Sequence, residues 1–573
     1  MKLDSKSLEV AKNRYFMDGE EWKDCALRVA ENVSNAENYK KSEYRDKFYE
    51  MIYNMDFLPA GRILRNSGRL RGSLFNCYNI PIEDSIEEIG QFLKNVLILW
   101  SEGGGIGCNF SPLRPKGDPI LGKGGKSSGL VSYIEAANAV ASTVESGGSR
   151  RAAALGLVDI SHPEVLDFID SKLIHGKLSY FNISVSVNEE FLEMVEKNED
   201  WEFRFKQKKY GKKNAVEIWN KIVSNMVKSA EPGLVNWTNL TKNNSYYYDP
   251  ITGLNPCAEA TLESFGVCDL GSLVLPNFIS GNISTNWKKL ESTIKLAVRF
   301  LDDVIDVNKY VIHETDIKAH NSRRIGLGIT GLGDYLFAKQ IRYGSQKSLI
   351  EIERLMRFIR DCVYQTLVEL AIEKGSFPKF DSVLYGKSSF IRKLPASLRM
   401  DIKKYGSRCV TGMAIAPTGT ISLLTNTTSS IEPLYSKAYV RKDRVSDRIY
   451  VHPMYKKFLE ENNIPEWFVD IFDLKPEDHF ETQCVVQKYV DGAVSKTINL
   501  PEETTSDDLS KLLLEYIHDL KGVTVYRDGC REGQIYNKLT KEETLEYLKN
   551  NKKEVSEQLS NEDVKCHSGK CDL

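Results

Sequence analysis

A thiol, a carboxylate and an amide fall together on the stretch Asn255-Pro256-Cys257-Ala258-Glu259, and a second thiol, Cys268, follows Cys257 by eleven residues. Pro256 biases Asn255 toward extended backbone, so the stretch is expected to be a loop or a strand end. On extended chain, residues two apart share a face, which puts Cys257 beside Glu259. A neighbouring carboxylate opposes thiolate formation, the wrong setting for a nucleophile of the cysteine-protease kind. The pair suits a cysteine that serves as a neutral hydrogen donor or as a radical, with the glutamate as a separate base. It equally suits a buried cysteine followed by a surface glutamate.

Two more thiols, Cys566 and Cys571, bracket His567 and three further residues in a polar, Lys/Glu-rich C-terminus. With no core there to bury them, they read as a redox pair on a mobile arm, because thiol–disulfide exchange needs access and a nearby partner. A metal site with His567 is the alternative, although C-x4-C is an uncommon zinc spacing. A shuttle needs an interior dithiol to reduce. Cys77, Cys108, Cys257, Cys268, Cys409, Cys484 and Cys530 are candidates, and spacing alone does not choose among them. Cys25 and Cys362 fall in amphipathic helical patterns and read as packing residues. A third feature is the turn Thr418-Gly419-Thr420-Ile421-Ser422 after the strand-like "CVTGMAIAP". Its hydroxyls and backbone N–H groups fit a phosphate cradle or an ordinary Gly/Thr turn. The Gly-rich 101–110 lacks the lysine of a P-loop, and Gly147 to Arg151 fits an anion site or a solvated loop.

The elements that must position these groups follow from periodicity. Residues 5–60 space apolar residues at three and four and predict helices. A helix is expected from about Ser85, capped by Asp84 or Ser85 and stopped by Gly103 to Gly105. Helical patterns also cover "LVSYIEAANAVASTVE", "AVEIWNKIVSNMVKSA" and "WKKLESTIKLAVRFLDDVIDV", while 181–187, "FNISVSV", alternates as a strand. Alternation of strands and helices from about 151 to 430 predicts an α/β architecture with parallel strands and functional residues at strand ends. Residues 505–525 add one helix and a short strand.

The chain of 573 residues is 41% apolar and 27% charged, which places it among soluble globular proteins. Its net charge of −2 gives no reason to expect nucleic acid or an anionic membrane as the main partner. No apolar run approaches a membrane span, no secretory signal is evident at the start, and eleven cysteines do not make a disulfide scaffold. A reducing, cytoplasmic setting is expected.

Taken together, "NPCAE", "CDLGS", "PTGTIS" and the terminal C-x4-C resemble the ribonucleotide reductase catalytic subunit. "FLPAGRIL", "GGGIGCNFSPLRPKGD", "RRAAALGLVDISHPEVLDFI", "RRIGLGITGLGDYL" and "GVTVYRDG" agree in order. The short step from Cys257 to Cys268 and the wording of "HPEVLDFID" and "GVTVYRDG" resemble the adenosylcobalamin-dependent class II enzymes. A class I-type subunit, which needs a separate metal-containing radical-generating subunit, is the alternative. That class carries adjacent tyrosines where this chain has Val525-Tyr526. The glycyl-radical motif of a third class is absent.

The resemblance implies a ten-stranded α/β barrel of two five-stranded parallel halves around a central finger loop. The helical N-terminal region would be 1–75, the barrel 76–540 with effector elements at about 80–155, and a flexible tail 541–573. Cys257 would be the thiyl radical, Glu259 the base on the 3′-hydroxyl and Asn255 the holder of the substrate hydroxyls. Cys77 and Cys268 would be the reducing pair, Cys77 also protonating the departing 2′-hydroxyl. Cys566 and Cys571 would re-reduce that pair and take electrons from a thioredoxin-like or glutaredoxin-like protein. Thr418, Gly419, Thr420, Ile421 and Ser422 would hold the phosphates of a ribonucleoside di- or triphosphate. Asp84, Ser85, Ile86 and Arg114, with the 115–126 loop, would bind a deoxynucleotide effector. The loop 147–155, with Ser149 and Arg150, would relay its identity. The resemblance allows a homodimer, implies no metal beyond the cobalt of the cobalamin, and, with a short N-terminus lacking an ATP-cone, implies no overall dATP switch. Ala258 stands where the family commonly has glycine, Cys530 where it has serine, and Cys108 where it has an apolar residue.

Overall fold

The computed structural model describes residues 3–550, apart from 121, 123, 147–149, 175, 282, 443–446 and 531–535. The N-terminal helices α1 (Ser5–Arg14), α2 (Trp22–Val33) and α3 (Lys41–Tyr53) form where the three-and-four spacing places them. The Asp4 carboxylate caps α1 by accepting from Ser7 N at 2.8 Å, and α2 buries Trp22, Cys25, Val29 and Val33. A short strand β1 (Phe57–Pro59) leads into helix α4 (Gly61–Asn66). Helix α5 (Ile86–Ser101) begins at Ser85, whose hydroxyl accepts from Glu88 N at 3.1 Å.

The barrel strands are β2 (Cys77–Asn79), β3 (Gly105–Asn109), β4 (Ala154–Asp159), β5 (Phe181–Val187) and β6 (Gly233–Asn236) in the first half. These five pair in parallel, in chain order. The hairpin β7 (Ile251–Leu254) and β8 (Thr261–Glu263) follows. The second half contains β9 (Val267–Val274), β10 (Ile325–Thr330), β11 (Thr497–Leu500) and β12 (Gly522–Arg527). Here β9 pairs β10 and β11 pairs β12, both in parallel. Between β10 and β11 the parallel bridges Leu327–Met413 and Ile415–Val494 insert the segment 411–415 as the tenth member. The halves meet antiparallel at two seams, β2 with β9 and β6 with β12, and single bridges through 411–415, the last to Val494 just ahead of β11, complete the order of ten members. The run "CVTGMAIAP" (409–417) reads as strand-like in the sequence, and 411–415 is its part that joins the barrel. It takes the strand's place without a continuous ladder, because the Asp491 carboxylate accepts from Gly412 N and Met413 N at 2.8 Å each.

Helix Trp287–Val307 packs its apolar face on the barrel and holds the N-terminal region to it. Phe300 sits edge-on to Phe48 of α3 at 5.1 Å and to Phe57 of β1 at 5.6 Å. A buried Phe of this kind is worth about 3–5 kcal/mol. Beside it Arg299 Nη1 donates to Glu37 Oε1 at 2.7 Å, both side chains buried.

Residues 541–550, expected as the start of the tail, are helical. Leu545 and Leu548 pack against Phe337, Tyr455, Phe458 and Phe468, an apolar anchor that the Lys/Glu-rich composition hides. The two-stranded hairpin Asp200–Phe205 and Lys208–Asn214 and the small sheet Ala438–Lys442, Asp447–Val451 and Tyr536–Lys538 were not anticipated. Among the described residues no helix is long and apolar enough to cross a membrane.

The β7–β8 hairpin is the finger. Asn109 Nδ2 donates to Thr252 O at 3.2 Å and Asn79 Nδ2 to Glu263 O at 2.9 Å, tying one flank to β3 and β2. A Cβ at Gly107 would lie 1.6 Å from Leu254 O, so only glycine lets the finger pass that close to β3. At the tip Ala258 has φ 64°. This left-handed conformation costs a residue with a Cβ roughly 1–2 kcal/mol, which is why glycine is the common choice there. Ala258→Gly relieves that strain but loosens the unfolded chain by about 0.4–1 kcal/mol. A net gain in unfolding free energy of about 0.5 kcal/mol is expected, with Ala258→Val losing about 1 kcal/mol or more. Chemical denaturation of the three proteins checks the order.

Candidate active site

The finger tip delivers Asn255, Cys257 and Glu259 to the barrel interior. Asn255 and Glu259 are buried, while Cys257 is exposed at the tip. Asn255 is fixed by its own turn: Oδ1 accepts from Ala260 N at 2.9 Å, and Nδ2 donates to Cys77 Sγ at 3.0 Å. Cys77 Sγ in turn faces Glu259 Oε1 at 3.9 Å. Glu259 Oε2 has no hydrogen-bond partner among the described residues. Burial pushes the Glu259 carboxyl up to about 7, poised to change charge near neutral pH.

At the β2–β9 seam Cys77 stands directly opposite Cys268. Cross-strand partners in an antiparallel pair have Cα atoms about 4.5–5.5 Å apart, inside the roughly 4.4–6.8 Å that a disulfide spans. Both are buried free thiols. Burial holds both well above the usual thiol range, helped by the Glu259 charge at Cys77 and by Asp269 at Cys268. They are therefore S–H groups, suited to giving hydrogen or protons and unsuited to nucleophilic attack.

The register thus selects one dithiol from the seven candidates. Cys108 alternates away from the finger and lies in the apolar core. Cys409 and Cys484 are likewise buried in that core.

Cys77, Asn255, Cys257 and Glu259 line a cavity of about 390 Å³ that also takes in Ala416 to Ile421. The turn at its far end is less free than its sequence suggests. Thr418 Oγ1 accepts from Ser430 N at 2.7 Å and shares a bond with Thr330 Oγ1 at 3.0 Å. Ser422 Oγ donates to Gly419 O at 3.1 Å and pairs with Ser429 Oγ at 2.8 Å. Both hydroxyls are spent within the fold. What faces outward is Gly419 and Thr420, both exposed, at the opening of helix Gly419–Thr425.

The same cavity is lined by Arg14, Tyr15, Arg62 and Arg65, which sequence reasoning did not assign. The signal available was slight: Arg62 lies within "FLPAGRIL", and Arg14 ends an amphipathic helix.

The other site expectations gather elsewhere. Arg114 Nε donates to both Asp84 carboxylate oxygens at 3.0 Å, and Arg114 N to Oδ1 at 3.1 Å. Ser85 is engaged as the cap of α5, and Ile86 is exposed. The unanticipated 200–214 hairpin reaches this place, with Lys208 Nζ on Asp118 Oδ1 at 2.9 Å. None of these residues lines the cavity with the finger. Ser149, the side chain of Arg150, and Cys566 and Cys571 lie outside the described residues.

Two family models match the chain: one described as ribonucleotide reductase, all-alpha domain, over residues 1–72, and one as ribonucleotide reductase, barrel domain, over 75–526. A protein of Mycobacterium tuberculosis named vitamin B12-dependent ribonucleoside-diphosphate reductase is 33% identical over 93% of this chain and 81% of its own length. A Thermoplasma acidophilum protein of the same name is 32% identical over 92% of this chain and 72% of its own. A Chlamydia pneumoniae ribonucleoside-diphosphate reductase subunit alpha is 26% identical over 83% of this chain and 54% of its own length. With a finger inside a ten-membered ring, an opposed dithiol and a barrel-domain match over most of its length, this chain belongs to the ribonucleotide reductase family.

Proposed function

We propose that the chain reduces ribonucleotides to 2′-deoxyribonucleotides by a thiyl-radical route that depends on adenosylcobalamin. The observation that carries this is the gathering of Cys257, Glu259, Asn255 and Cys77 on one cavity, with Cys268 directly opposite Cys77 across the seam. The greater identity and length shared with the B12-dependent relatives than with the subunit alpha proteins favours the cobalamin route. So does Val525 before Tyr526, which leaves no tyrosine pair at that place. The names of those relatives point to ribonucleoside diphosphates as substrate.

Cys257 is the thiol of the set open to a group outside the cavity, and it stands beside the Gly103 to Gly105 run on the lining. Cys257 and the Gly103 to Gly105 run would face the cofactor, which when bound would supply the single-electron oxidising equivalent that converts the Cys257 thiol to a thiyl radical.

The chain's own groups account for the remainder. The Cys257 sulfur takes the 3′-hydrogen of the ribose, and ionised Glu259 takes the 3′-hydroxyl proton. The Cys77 S–H protonates the 2′-hydroxyl, which leaves as water. Cys77 and Cys268 together lose two electrons and two protons and close a disulfide across the seam. Cys257 then returns a hydrogen atom to C3′. The net change is one ribonucleotide and one dithiol to one deoxyribonucleotide, one water and one disulfide. Asn255 holds the substrate hydroxyls and keeps Cys77 aligned. Asp84 and Arg114 with the 115–126 loop form the effector site. In the cytoplasm, Cys566 and Cys571 reopen the disulfide with electrons from a thioredoxin-like or glutaredoxin-like protein, a role suggested by the C-x4-C spacing.

Purified protein with a dithiol and adenosylcobalamin is expected to convert CDP to dCDP, and Cys257→Ala to make none. Turnover without cobalamin, dependent on an added metal-containing subunit, would sink the cobalamin route. Because Glu259 must be ionised, kcat/KM is expected to rise with pH through about 7. Glu259→Gln should lose that limb and slow turnover by roughly 10²–10⁴. Replacing Cys566 and Cys571 by serine should stop thioredoxin-driven turnover and spare dithiothreitol-driven turnover. Equal losses in both assays would exclude the shuttle.

A further inference from the structure

The charged residues lining the cavity are Arg14, Arg62, Arg65 and Glu259. The carboxylate belongs to the finger end. All three cations come from the N-terminal helical region, and none from the barrel that supplies the reacting groups. The Thr418–Ser422 turn brings no cation of its own, and two of its hydroxyls are already spent. A ribonucleotide entering with its ribose at Glu259 carries two or three negative charges that backbone N–H groups alone would have to meet. From these placements we propose that Arg14, Arg62 and Arg65 form the subsite for the terminal phosphates of the substrate. The N-terminal region is then a wall of the substrate site. The proposal rests on reading the cavity as the place where ribonucleotide binds.

The three arginines are held at this wall. Helix α1 packs against helix Gly419–Thr425, which brings Arg14, its last residue, to the phosphate turn. Arg65 Nη1 donates to the Arg14 carbonyl oxygen at 3.1 Å, tying α4 to the end of α1. Arg62 is buried against the backbone of Gly103, where a Cβ would lie 2.0 Å from its Cζ. Burial, then the Arg69 and Arg14 charges, draw the Arg65 guanidinium below its ordinary value. A guanidinium matches phosphate oxygens with two parallel donors, so the subsite suits a diphosphate or triphosphate better than a monophosphate.

The test uses the full chain and reads binding separately from turnover. Arg14 is exposed and Arg65 half-buried, so Arg14→Ala and Arg65→Ala are compatible with folding, which circular dichroism checks. Each variant is expected to raise the KM for CDP about tenfold or more, the usual consequence of losing a hydrogen bond to a charged group. Their kcat should stay within about twofold, and Arg65→Lys should recover part of the loss. Equilibrium dialysis with cytidine, CMP, CDP and CTP should show no loss for cytidine and a loss that grows with phosphate number. Loss of affinity equal for cytidine and CDP, or a fall in kcat at unchanged KM, overturns the subsite. A wild type that binds CDP yet makes no deoxynucleotide overturns the reductase reading, while the phosphate dependence of the variants still decides the subsite. A wild type that binds no CDP overturns both.

Discussion

The Ala493 N–H donates to the Glu259 carbonyl oxygen at 2.7 Å, and the placement of the finger depends on that bond. A hairpin buried among the barrel strands must find partners for every buried backbone group, since an unmet one costs about 1–3 kcal/mol. One flank is met by Asn79 and Asn109 on the first half-barrel. The other is met by the loop at 491–493, organised by Asp491. That carboxylate accepts from Gly412, Met413 and Gly492 N–H groups and from the Tyr364 hydroxyl. Lys521 closes the loop from below, donating to the Asp491 and Gly492 carbonyl oxygens at 2.7 Å each. Burial draws its ammonium down to about 7, so the clamp is made by a lysine kept only by its partners. A Cβ at Gly492 would meet Met413 O at 2.7 Å and Glu259 O at 3.0 Å, so strand segment, loop and finger touch through that one glycine.

The same enclosure sets the electrostatics. In a low-dielectric interior, charge is disfavoured unless paired. Cys77 and Cys268 therefore remain S–H groups, and Glu259 titrates near neutrality instead of near its usual value. Thiol, thiol and carboxyl share this setting because the two cysteines oppose each other at one seam and the finger tip lays Glu259 against Cys77. Moving either cysteine one residue along its strand would turn it to the other face. Gly107 and Cys108 illustrate the rule: the first must be bare for the finger to pass, and the second points into the apolar core.

Local patterns were legible in the sequence, and relationships across the chain were not. Helix Trp287–Val307 and strand Phe181–Val187 read directly from their periods, and the Ser85 cap from its residue type. The motif set identified Cys257, Glu259 and Asn255 as neighbours, since they sit within one turn. That Cys77 opposes Cys268 could come only from resemblance or from register, because spacing carries no information about which strands meet. Thr418 and Ser422 looked like free hydroxyls. They are consumed by Thr330, Ser429 and Ser430, residues that no local pattern links to them. Segment 411–415 is strand-like in composition but gives its N–H groups to Asp491, some eighty residues downstream. The arginines of the cavity wall were invisible for the same reason, being brought to the site by helices packed from the far end of the chain.

That packing has a consequence for how the two regions must work. Phe300 is wedged against Phe48 and Phe57, and Arg299 is paired with Glu37, at the boundary between helical region and barrel. Lys374 extends the boundary by donating to Glu37 at 2.8 Å and to Asp303 at 2.6 Å. Removing one partner from so buried a set leaves an unmet charge and costs about 3–5 kcal/mol. The boundary therefore ties α3 and the segment around Glu37 to the barrel. A cavity walled on one side by barrel and on the other by helices can then hold both ends of a nucleotide at once. Under the proposed subsite the phosphate grip adds affinity for the nucleotide, and the hydrogen transfer itself is governed at the finger tip.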